Sequence, residues 1–368
     1  MIDTLVIGAG QAGLAAGYHL QRAGLTFTIL EAGDQPGGSW PRYYASLRLF
    51  SPARFSSLPG LPFPGTGDRY PARDEVSAYL RQYASHFALP VRTGIPVVRI
   101  TRQGAAFAVE TADGTVLTAR SVIAATGAFS RPNVPAIAGQ DAFAGQIIHS
   151  AAYHAPESFR GQRVVVVGGG NSAIQIAVEL AQVATVSLAT RHPLRFQAQR
   201  TRGRDIHWWW HTTGFDRARL GQRLGRLVQQ QAVGVILDPG IYQAALAAGR
   251  PDQRAMFTAF TPTGVQWAGG QAEAVDAVIF ATGYLPNLPY LADLGALDTD
   301  GRPLHRAGLS TTVPQLGYVG LEQQRTFASA TLRGVGADAA HVVAQLRRDL
   351  RAADGRCCWW VPRLDPSS

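Results

Sequence analysis

The apolar positions of this 368-residue chain fall into short β-branched runs closed by glycine, each followed by a stretch with helical spacing. Leu5-Val6-Ile7 and Val164 to Val167 are continuous apolar runs, the pattern of a strand buried on both faces of a parallel sheet. Leu14 to Arg22 and Ile174 to Gln182 then repeat apolar residues at helical intervals. Phe27 to Leu30 and Val186 to Thr190 predict the second strand of each unit. Val97 to Ile100, Phe107 to Glu110 and Val116 to Ala119 predict short strands joined by turns, one of them at Asp113-Gly114. Asp74 to Phe87 and Asp338 to Leu350 predict helices. Leu49 to Pro64 holds too many prolines for a helix and predicts an ordered loop. Two more buried runs, Ser121 to Ala125 and Ala277 to Ala281, end in Ala-Thr-Gly at Thr126-Gly127 and Thr282-Gly283.

The two strand-to-helix turns carry the chemistry. The first runs Gly8-Ala9-Gly10-Gln11-Ala12-Gly13, and the second Gly168-Gly169-Gly170-Asn171-Ser172-Ala173. In such a turn the first glycine makes the bend and the second lets the backbone touch a pyrophosphate. The third position must be small so that helix packs on strand. The helix N-terminus then offers free N–H groups to phosphate. Each second strand ends 23 positions after the first glycine of its turn, at Glu31 and at Arg191. A carboxylate there accepts from ribose hydroxyls, whereas a guanidinium suits a ribose 2′-phosphate. The first site therefore predicts FAD and the second NADPH. His192 is placed to assist Arg191, and NADH stays an allowed alternative donor.

The fold predicted is α/β, with two Rossmann-like dinucleotide-binding domains and the NADPH domain inserted in the FAD domain. Residues 1–155 and 275–352 form the FAD domain, 156–274 the insertion, and 353–368 a C-terminal tail. The two Ala-Thr-Gly endings mark where the chain crosses between halves.

Composition narrows the function classes. The net charge is +9, and all 34 cationic side chains are arginine. Without lysine, Schiff-base chemistry and a lysine P-loop are excluded. The arginine-dense stretch Arg191 to Arg226 would draw in a phosphorylated cofactor. No nucleic-acid-binding motif accompanies it, so no specific nucleic-acid partner is expected. No apolar run is long enough to span a bilayer and no signal-peptide pattern is visible, so a cytoplasmic protein with no membrane partner is expected. The two cysteines, Cys357 and Cys358, are adjacent in the tail, far from either turn, which disfavours disulfide reduction. His207-Trp208-Trp209-Trp210-His211 would place both histidines on one helix face. No third ligand is near, so it predicts aromatic packing over the cofactor or substrate passage, and no metal.

These features resemble a family. Phe143-Ala144-Gly145-Gln146-Ile147-Ile148-His149-Ser150-Ala151-Ala152-Tyr153, just before the second turn, matches the signature of flavin-containing monooxygenases, class B flavoproteins, in a short bacterial form. Tyr153 as the closing aromatic favours that branch over Baeyer–Villiger enzymes. Gly37-Gly38-Ser39-Trp40 and Phe50-Ser51-Pro52 are similar as well. The resemblance covers nearly all of residues 1 to 350 and is weakest from 195 to 270. It implies that NADPH reduces the flavin and that dioxygen adds at C4a to give a hydroperoxide. One oxygen atom then passes to a sulfide, an amine or a ketone. With the two turns and the Ala-Thr-Gly endings, it implies cofactor contacts at Gly38, Ser39, Trp40, Ser51, Thr126, Gly127, Asn171, Ser172, Thr282, Gly283 and Thr331. Phe50, His149 and Tyr153 are the residues it places nearest the chemistry, with His149 coupling the domains rather than acting as a base. Larger members often carry an asparagine beside flavin N5. Here the matching segment supplies Phe50 or a neighbouring serine, which implies peroxide leakage. The partners are O2 and a small molecule, and a homodimer is left open. The alternatives are a flavin reductase or oxidase without oxygen transfer, and a redox sensor that keeps FAD for structure.

Overall fold

A computed structural model describes residues 1–218 and 234–354. The cysteine pair and most of the expected tail lie outside the described residues. Two parallel sheets organise the chain. In the first, the strands Phe27–Leu30, Ile2–Ile7, Val116–Ala124 and Leu316–Tyr318 lie side by side and parallel. Val91–Arg92 extends one edge, and an antiparallel hairpin, Val97–Gln103 with Ala106–Thr111, branches from Val116–Ala124. Leu5, Val6, Val122 and Ile123 are fully buried because helices cover one face, and the hairpin residues Ile100, Phe107 and Val109 with Tyr290 and Leu291 cover the other. The helices Gln11–Arg22 and Leu332–Ala353 pack together on that sheet through Leu14, Leu20, Val335, Val342 and Leu346.

The second sheet has the order Asp252–Ala255, Thr185–Thr190, Arg163–Val167, Ala277–Phe280, Gln146–His149, all parallel. The helix Asn171–Leu180 covers it with Ile174, Ile176 and Leu180. Expected elements recur with shifted bounds: the helix Arg73–His86 lies one residue earlier at the same length, the helix Leu332–Ala353 is longer, and one nine-residue strand, Val116–Ala124, replaces two short runs.

The expected division of the chain needs a correction. Gln146–His149 and Ala277–Phe280, assigned by the 155/156 and 274/275 boundaries to the first half, both pair in the second sheet. The chain crosses between sheets at an antiparallel ribbon in which Arg131–Pro132 pairs with Tyr284–Leu285. We propose the domain boundaries there. The ribbon is braced by Asn133 N–H to the Gly283 carbonyl (3.0 Å) and by the Thr282 hydroxyl donating to the Asn133 carbonyl. Among the described residues, no helix is long and apolar enough to cross a membrane.

Candidate functional site

Both glycine turns open into one cavity of about 1300 Å³. Gly8 has φ +102°, and a Cβ on it would lie 2.8 Å from the Ala125 carbonyl oxygen, so the crossing strand sits directly on the bend. At Gly13 a Cβ would fall 1.8 Å from the Gly8 carbonyl oxygen, and Gly13 does not reach the cavity. Its role is helix-on-strand packing. Gly10 differs: an added Cβ meets only the Gly38 Cα at 3.7 Å, and Gly170 meets nothing within 4 Å. Both are open cradles at a helix N-terminus, the shape that a pyrophosphate fits. Gly168 repeats the bend of Gly8, with Ala281 as its close neighbour.

Glu31 is buried and accepts from Ala9 N–H at 2.7 Å and Gly33 N–H at 2.9 Å. Arg191 and His192 are exposed on the wall of the other half, and no described carboxylate pairs with Arg191. Two loops close over the first turn. Gly37 N–H donates to the Ala9 carbonyl (3.0 Å), and Trp40 Nε1–H donates to Gln11 Oε1 (3.1 Å). Gln11 in turn donates to the Ala330 carbonyl beside Thr331 and the start of the helix Leu332–Ala353. The same loop reaches the other half, where the Tyr44 hydroxyl donates to Gln175 of the second-turn helix. Burial pushes the Tyr43 phenol up to about 12, so it stays neutral beside Ser39 (2.9 Å between hydroxyl oxygens). Ser51, Thr126, Gly127, Asn171, Ser172, Thr282, Gly283 and Thr331 all line the cavity as expected positions, and so does Phe50.

Two residues expected near the chemistry do not reach this wall, and that is a correction. His149 is buried, its Nε2–H donates to the Gly283 carbonyl at 2.9 Å, and its Nδ1 accepts from Ala151 N–H at 3.1 Å. Burial pulls its pKa below the ordinary imidazole value. With both ring nitrogens engaged, His149 ties the end of the strand Gln146–His149 to the returning segment at Gly283, the coupling role expected for it. Tyr153 is 1% exposed in the second core and donates to Glu179 Oε2 at 2.9 Å, a packing and anchoring role.

Arg333 and His207 also line the cavity, and a group of residues behind them supports that wall. Gln199, itself buried, donates to the Phe50 carbonyl. Arg333 pairs with Asp216 at 3.0 Å, both nearly buried, and its guanidinium lies over the Trp210 ring at 5.6 Å. Asp205 caps the short helix Ile206–Thr212 by accepting from His207 N–H and also accepts from His207 Nδ1, both at 2.8 Å. The Tyr70 hydroxyl donates to the other carboxylate oxygen at 2.6 Å. Burial opposes the Asp205 charge, but the bonds from His207 and Tyr70 outweigh it and hold the carboxyl below its usual range. Burial keeps His207 neutral despite that partner. The only sequence signal for this group was the aromatic run between His207 and His211.

Comparison with known proteins agrees with this geometry. The family profile described as "Pyridine nucleotide-disulphide oxidoreductase" matches residues 5–212. A flavin-containing monooxygenase from Stenotrophomonas maltophilia superposes with a TM-score of 0.81 at 38% identity, over 94% of this chain and 98% of that one. An oxidoreductase named CzcO-like from Geobacillus kaustophilus is 33% identical over 93% of this chain and 97% of its own length. Indole-3-pyruvate monooxygenase YUCCA1 from Oryza sativa is 30% identical over 95% of this chain and 92% of its own. With two facing dinucleotide turns and these relatives, the chain belongs to the flavin-containing monooxygenases within the pyridine nucleotide-disulphide oxidoreductase family, as an FAD- and NADPH-dependent oxidoreductase.

Proposed function

We propose that this protein transfers one oxygen atom from O2 to a small soft nucleophile, a sulfide or amine, or to a ketone, with NADPH as reductant. The observation that carries this reading is that both turns share one cavity, so a nicotinamide and a flavin bound to them meet inside it. Bound FAD, once reduced, supplies the activation of dioxygen through its C4a position. The protein does the rest. Gly10 and the start of the helix Gln11–Arg22 hold the FAD pyrophosphate, and Glu31 holds its ribose. Gly170, Asn171 and Ser172 hold the NADPH pyrophosphate, and Arg191 with His192 holds the 2′-phosphate. The start of the helix Leu332–Ala353, at Thr331, turns its dipole toward the flavin end and favours negative charge there. Leu47, Leu49 and Phe50 give that end an apolar wall, which limits water and suits an uncharged substrate.

One observation favours a second reading, an NADPH oxidase that releases peroxide. Phe50 carries no side-chain donor, and the Ser51 hydroxyl is engaged with Ser56 at 2.8 Å. Turnover of a thioether under ¹⁸O₂ separates the two. Sulfoxide carrying one labelled oxygen per NADPH supports transfer. NADPH consumption matched by peroxide, with unchanged thioether, supports the oxidase.

A further inference from the structure

The segment around Asp205 and His207 is held against both flavin-side walls. Ile206 N–H donates to the Gln199 carbonyl at 2.8 Å, and Gln199 in turn donates to the Phe50 carbonyl. Phe55, from the same loop as Phe50, stacks on the His207 ring with an interplanar angle of 27°. On the other side Trp210 packs edge-on against His207 at 4.8 Å and carries Arg333, which starts the closing helix. His207 is 2% exposed and lines the cavity. Its Nδ1–H is taken by Asp205, so the unprotonated atom of the neutral ring is Nε2. A carboxylate that fixes the tautomer and leaves the far nitrogen basic at a cavity wall is the arrangement of a general base. The charged groups facing the ring are Asp205, Asp216 and Arg333, and Tyr70 approaches through Asp205.

We propose that His207, oriented by Asp205, is a catalytic base that removes a proton from the substrate's nucleophilic atom. The site thereby selects soft nucleophiles that carry a proton, thiols above all. In the step, the S–H bond breaks, an N–H bond forms at Nε2, and the electron pair stays on sulfur. That pair then forms the S–O bond, giving a sulfenic acid. The proton on Nε2 leaves with the water made from the second oxygen atom, and NADPH supplies both electrons. Asp205 stabilises the imidazolium in between. The inference rests on the oxygen-transfer reading above.

The test compares 2-mercaptoethanol with a thioether, methyl phenyl sulfide, on FAD-loaded wild type and His207→Gln. The thiol-to-thioether ratio of kcat/KM falls about 100-fold in the variant, the usual worth of a positioned base. In wild type, the thiol profile rises through an ionisation below the ordinary imidazole range, and the thioether profile does not. Asp205→Asn moves that limb to lower pH, and it reports on the base if His207→Gln fails to load FAD. An unchanged ratio in His207→Gln, or the same pH limb for both substrates, overturns the proposal. If wild type oxygenates neither compound, the oxygen-transfer reading fails. Thiol binding to the oxidised holoenzyme, followed by flavin absorbance, then decides the base by itself: affinity that rises through the same limb in wild type and not in the variant supports it, and identical profiles overturn it.

Discussion

Trp40 donates its indole N–H to Gln11 Oε1 at 3.1 Å, and Gln11 passes its own amide N–H to the Ala330 carbonyl. Three distant segments are thereby clamped over the first glycine turn. Trp40→Phe keeps the ring and removes the donor. FAD should dissociate more readily, by about 2- to 12-fold for one hydrogen bond of 0.5–1.5 kcal/mol. Equilibrium dialysis of the holoenzyme checks this, and an unchanged affinity contradicts it.

Gly10 and Gly13 lie three residues apart and should fail differently. A Cβ at Gly13 is driven into the Gly8 carbonyl, while one at Gly10 fills only the cradle. Gly13→Ala should lose about 1–3 kcal/mol of stability together with FAD. Gly10→Ala should keep the apoprotein's stability and still lose FAD by about tenfold or more. Thermal melts and flavin content of the two variants distinguish these outcomes.

Arg191 stands exposed on the second half's wall, at the position where the first half has Glu31. Removing a charge-assisted contact to phosphate costs about 1.5–3 kcal/mol, roughly 10- to 150-fold. Arg191→Ala should therefore weaken NADPH by that factor and NADH by about twofold at most. Equal loss for both donors would refute the assignment.

Four histidines, His19, His149, His207 and His305, have pKa values lowered, with burial the leading cause in each. The folded protein binds fewer protons than the unfolded chain between those lowered values and the ordinary imidazole value. Stability therefore rises with pH across that window and is lost as pH falls through it. Burial raises the Asp338 carboxyl and contributes in the opposite sense. The urea midpoint should drop between about pH 7.5 and about pH 5.5. A flat profile there would contradict the burial seen for these rings.

The glycine turns were legible because their packing admits no larger residue: carbonyls of Gly8, Ala125 and Ala281 sit where a side chain would begin. Glu31 and Arg191 followed from their spacing on strands that start at those turns. The domain boundary was not legible in the same way. Gln146–His149 is a four-residue strand, and its partner Ala277–Phe280 is far along the chain, so no local periodicity announces the pairing. His149 and Tyr153 were drawn toward the chemistry by motif alone, whereas burial and full hydrogen bonding place them in the scaffold. The Asp205–His207 pair went unseen because Phe55, in the proline-rich loop, and Tyr70, just after it, which position the pair, come over 130 residues earlier.

Oxygen transfer depends on a reduced flavin shielded in the shared cavity. Stopped-flow mixing of the NADPH-reduced holoenzyme, with NADP⁺ retained, against O2 and increasing thioether tests it most directly. An absorbing transient distinct from reduced and oxidised flavin should form, and its decay should quicken with thioether as sulfoxide forms. Reoxidation in a single phase, indifferent to thioether and matched by hydrogen peroxide, would contradict it.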